Sequence, residues 1–131
     1  MKASFARAAA TLCCVSLSTM TINSAVAQQR PAFVIVERTA TTGPESIQEE
    51  YAKLAREILP KYGARYLARS QHNMLLEGVG APPCCMAILE FPSLDEVERW
   101  YKSPENQDAV KVRDRGAKFG LIAIEGLPAG K

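Results

Sequence analysis

A chain of 131 residues has room for a single domain. Its charge is nearly balanced, with 16 Lys and Arg against 14 Asp and Glu. The two excess bases, Lys2 and Arg7, both lie in the first seven residues, so the rest of the chain is neutral and lacks the electrostatic footprint of a nucleic-acid or anionic-lipid binder.

Residues 1–27 read as a cleavable secretory signal peptide. A basic start is followed by a weakly apolar run from Ala8 to Leu17 and the small-residue tail Asn23-Ser24-Ala25-Val26-Ala27. The apolar run is too short and too rich in Ser and Thr for a membrane span, which takes about 20 apolar residues. The expected product is an exported chain, periplasmic or secreted, that begins at Gln28 and keeps no membrane attachment. Cys13 and Cys14 would leave with the leader. Cys84 and Cys85 then remain as an adjacent pair, which gives no disulfide framework, and no Cys/His cluster has zinc spacing.

The domain, residues 28–131, opens with a strand at Phe33–Thr39, dense in β-branched and aromatic residues. A helix follows. It is capped either by Gly43 with Pro44 at the first position or by Thr42 in a capping box with Glu45. Its apolar stripe is Ile47, Tyr51, Leu54 and Ile58, and Pro60 and Gly63 end it. Ala64–Ser70 reads as the second strand, Met74–Glu77 as a short further piece, and Cys84–Phe91 as a buried strand in which adjacent cysteines point to opposite faces. Ser93 and Glu96 form a capping box, and Ser103-Pro104 restarts a second short helix that runs to about Arg115, with Gly116 as its C-terminal cap. Lys118–Glu125 is the last strand. The order β-α-β-β-α-β predicts an α+β, ferredoxin-like domain: a four-stranded antiparallel sheet with its helices on one face.

Alternation splits the strand residues between two faces. Val34, Val36, Tyr66, Ala87, Leu89, Ile122 and Ile124 are expected under the helices. Phe33, Ile35, Leu67, Ile88 and Leu121 are expected on the other face. That second face is apolar enough to need a partner, and a second copy placed face to face would close a barrel of two sheets. The same register points Glu37, Arg65, Arg69, Glu90 and Glu125 into that barrel. Such charges form either a satisfied ion-pair network or the polar wall of a ligand cavity. Glu37, Arg65, Arg69 and Glu90 are therefore the candidate ligand-binding residues, with Arg69 at the barrel mouth. No catalytic residue, metal or cofactor is assigned. The single histidine, His72, falls in a turn between Gln71 and Asn73, and the bases from Lys111 to Lys118 interleave with acids as on a solvated helix face.

The blocks Gly63-Ala-Arg-Tyr-Leu-Ala-Arg69, Leu76-Glu77-Gly78, Glu90-Phe-Pro-Ser93, Trp100-Tyr-Lys-Ser-Pro-Glu105 and Glu125-Gly126, in this order, resemble domain-of-unknown-function family 1330. The resemblance covers about residues 32–127 and implies a dimeric α+β barrel without implying an activity. Ala64 departs from the family pattern, which has a second glycine there. Three functions follow as expectations: a dimeric barrel that binds a small anionic or aromatic molecule, a cofactor-independent monooxygenase or isomerase, or a non-catalytic accessory protein.

Overall fold

The computed structural model describes residues 29–128, so the expected signal peptide lies outside the described residues. Strand β1 spans Ala32–Thr41, α1 Glu45–Ile58, β2 Arg65–Ser70, β3 Met86–Phe91, α2 Leu94–Lys102, α3 Pro104–Asp114 and β4 Ala117–Glu125. The four strands form one antiparallel sheet in the order β2-β3-β1-β4, the predicted ferredoxin-like arrangement.

The caps explain the helix boundaries. Ser93 Oγ accepts from the Glu96 amide at 3.3 Å, and Ser103 Oγ accepts from the Asn106 amide at 3.2 Å with Pro104 at the first helical position. Helix α1 starts differently from either expected cap: Pro44 is its N-cap, with no side-chain cap bond. Its loop is held from outside, because the Thr42 and Gly43 amides both donate to Gly116 O at 2.9 and 3.0 Å. After Ile58 a 3-10 turn, Leu59–Tyr62, carries the chain to Gly63, whose φ of 66° is the left-handed conformation that glycine adopts cheaply.

The core lies between the helices and one sheet face, where Val34, Leu89, Phe91, Ala55, Ile58, Leu59, Val97 and Trp100 are buried together. The inward side of α1 is Gln48, Ala52, Ala55 and Ile58, turned by one residue from the predicted stripe. The Met74–Glu77 piece is not a strand, and residues 71–85 form an irregular connection in which Met74, Leu76 and Val79 are exposed.

Two register corrections reassign faces. Val36 pairs with Leu121 and Val34 with Ala123, so Leu121 lies under the helices, while Ile122 and Ile124 stand on the open face beside Ile35 and Phe33. A bulge at Leu67 places Tyr66 opposite Leu89 but Ala68 opposite Ile88 and Arg69 opposite Ala87. Arg69 therefore lies on the helix-covered face, not on the open one.

Candidate functional site

The helix-side row Val34, Val36 ends on a charge. Arg38 continues the buried register of β1, and its side chain is only 9% exposed. Seven residues later, Glu45 opens α1 and faces back. Arg38 Nη1 and Nη2 donate to the two carboxylate oxygens of Glu45 at 2.8 and 3.1 Å, a bidentate fork. This bond raises the Arg38 pKa and holds the Glu45 carboxyl below its usual range. The guanidinium also lies 5.8 Å from the Phe119 ring centroid.

Above this pair, between α1 and the sheet, is a cavity of about 90 Å³. On this measure about 10–15 Å³ suffices for one water, so a small ring or short chain fits. Its floor and walls are apolar: Val36, Ala52, Ala55, Leu59, Leu89, Trp100, Phe119 and Leu121. Arg38, Glu45, Gln48, Tyr51, Tyr66, Arg69 and Cys85 supply its polar groups. Burial pushes the phenols of Tyr51 and Tyr66 upward, so both hold their protons and can donate.

Two residues that line this cavity each carry a buried polar atom without a partner, the donor Arg38 Nε and the acceptor Gln48 Oε1. Gln48 is 4% exposed and its amide nitrogen donates to Arg113 O at 3.0 Å. Unpartnered buried polar atoms cost about 1–3 kcal/mol each unless a further group satisfies them. Arg69 stands at the rim, exposed, with no ion-pair partner among the described residues, close enough to Glu45 to lower its pKa further.

The four residues expected to share a site are thus divided. Arg69 reaches the cavity, on the face opposite to the one expected. Arg65 and Glu90 pair with each other at 2.5 Å on the open face. Glu37 is also on the open face, between Met86 and Gly120, away from the cavity. Glu125 pairs with Arg30 at 2.8 Å at the end of the sheet. Cys84 and Cys85 precede β3 rather than lying in it, so their thiols are not forced to opposite faces, and both are free. His72 is exposed, with its amide donating to Ser70 Oγ at 2.9 Å. Arg38 and Gln48 went unassigned from the sequence. The signal for Arg38 was present: a base in the same parity as Val34 and Val36, with an acid just across the turn.

The family model described as a domain of unknown function, DUF1330, matches residues 31–127, and the chain belongs to that family. Among curated proteins there is no match. A protein of unknown function from Rhodopseudomonas palustris superposes with a TM-score of 0.63 at 17% identity, over 76% of this chain and 84% of that one. A dimeric ferredoxin-like protein of unknown function from Thermobifida fusca gives 0.55 at 11% identity, over 75% and 92%. A cofactor-independent oxygenase from Streptomyces nogalater gives 0.50 at 7% identity, over 73% and 91%. These likenesses establish the fold.

Proposed function

We propose that this DUF1330 protein is an exported homodimer that binds a small carboxylate, aromatic or short-chain, in the cavity between α1 and the sheet. The observation that carries the binding reading is that Arg38 Nε and Gln48 Oε1, a donor and an acceptor on two residues that line one cavity, are both buried and unpartnered. Arg69 at the rim supplies a free guanidinium for the anionic group, and the apolar walls take the rest of the ligand. Export rests on the leader-like residues 1–27. Self-association is supported by the open sheet face, where Ile88, Ile35 and Ile122 form one row across three strands, and by the dimeric state of the Thermobifida protein of the same fold.

Binding suits the geometry better than proton abstraction. A general base needs a pKa near the working pH, whereas Glu45 is bonded to Arg38 and held low. Glu37 and Glu90 lie on the opposite face of the sheet from the cavity.

Trp100, the only tryptophan in the sequence, lines the cavity and reports on it. Titration of benzoate followed by Trp100 emission should saturate in the wild type. Arg69→Ala should weaken binding by about 1.5–3 kcal/mol, the worth of a hydrogen bond to a charged group. Equal responses from wild type and variant would reject Arg69 as the anchor.

A further inference from the structure

Helix α2 carries more apolar surface than the sheet covers. Val97 and Trp100 are buried, whereas Leu94 and Tyr101 on the same helix are 40% and 49% exposed. Ala123 pairs with Val34, which sets it on the helix side of the edge strand β4, and it is exposed as well. These residues line an open groove of about 420 Å³. Trp100, Phe119 and Leu121 line both this groove and the cavity between α1 and the sheet, so the two hollows share one wall.

The sheet gives the two hollows a common direction. Arg69, Ala87, Val36 and Leu121 are successive partners in one row across all four strands, and all four line the cavity. Neighbouring strands lie about 4.8 Å apart, so the row runs ~14 Å from Arg69 to Leu121. Leu121 is also where the groove begins. The two ends differ in charge. Arg69 has no ion-pair partner among the described residues. At the groove end Arg113 Nε donates to Asp114 Oδ1 at 2.9 Å and Glu98 is paired with Lys102, so both charged residues of the groove are already satisfied.

We propose that cavity and groove together form a slot for a straight-chain fatty acid, with the carboxylate at Arg69 and the alkyl tail passing Trp100 and Phe119 onto Ala123. This ligand rests on the carboxylate reading above and specifies its apolar part. A chain suits the row better than a ring does. Benzoate is too short to extend past Leu121, and it leaves Leu94, Tyr101 and Ala123 in water. A tail laid along the groove takes that apolar surface, and its own, out of water.

Trp100 emission reads the test, with hexanoate, octanoate and decanoate titrated below their aggregation concentrations and benzoate as the reference. Each buried methylene strengthens binding by about fourfold, so each pair of added carbons should tighten it roughly fifteenfold. Ala123→Phe places a ring on the groove floor, at an exposed position outside the cavity. In that variant decanoate should bind no tighter than hexanoate, while benzoate binds as in the wild type. Equal affinities across the three chain lengths, with benzoate still bound, would overturn the fatty-acid proposal and leave the carboxylate reading standing. A chain-length gain that Ala123→Phe does not reduce would overturn it too, because that is the behaviour of unspecific partition. Failure of benzoate and every fatty acid alike would overturn both.

Discussion

Arg38 and Arg69 illustrate how differently two arginines of one cavity can behave. Arg38 is buried and forked to Glu45, and Arg69 is exposed and unpaired. Arg69→Ala should therefore leave thermal stability within about 0.5 kcal/mol of wild type, as for surface substitutions generally, while benzoate binding weakens. A larger loss in calorimetry would mean that Arg69 is structural. For Arg38 the signature is pH. A carboxyl held below its unfolded pKa contributes stability that is fully present above the unfolded value and is lost as pH falls through the folded one. The Glu45 contribution should then be complete above about pH 4.3, the usual glutamate value, and fade at lower pH. Arg38→Met keeps the stem in place and removes the fork, so denaturant titrations should show a shallower acid loss in the variant. An unchanged acid limb would mean that the fork contributes nothing in solution.

At the scale of elements, periodicity and caps give the order of the strands and helices, except for the Met74–Glu77 piece, which is not a strand, and the start of α1, which uses neither expected cap. The faces are harder. β4 is apolar in both parities, Leu121 and Ala123 in one and Ile122 and Ile124 in the other, so alternation carries no information about which set lies under the helices. β2 carries a bulge that no residue type announces, and one extra residue is enough to move Arg69 from one face to the other. The candidate site was therefore legible only in part. Arg69 was found for a reason that the bulge removes, and Gln48 was masked by the apolar Ile47 beside it. Where the β1–α1 and α3–β4 loops meet, space at Gly43 is tight. A Cβ on Gly43 would stand 3.0 Å from Gly116 Cα and 3.1 Å from Arg115 O, both backbone atoms. Gly43→Ala should cost about 1–3 kcal/mol by overpacking, measurable as a lower urea midpoint. No change would mean that the two loops separate freely.

For the whole molecule, the question is what covers the open face. Ile122 is 65% exposed and Ile124 44%, and they adjoin Ile35, Phe33 and Ile88. In the proposed homodimer a second copy would bury these rows, along with the Arg65–Glu90 pair that lies among them. Ile35 is the centre of the patch, so Ile35→Asp should abolish the dimer, because a desolvated carboxylate without a partner costs several kcal/mol. Light scattering should show a folded monomer or an unfolded chain, and an intact dimer would place the interface elsewhere.

The central claim is a cavity that takes a small carboxylate within a dimer, and native mass spectrometry of the purified protein with benzoate addresses both parts at once. The account predicts a species of twice the chain mass that takes up one benzoate per chain, with uptake lost in Arg69→Ala and the dimer retained. A dimer that takes up no benzoate, or takes it up equally well without Arg69, would contradict it.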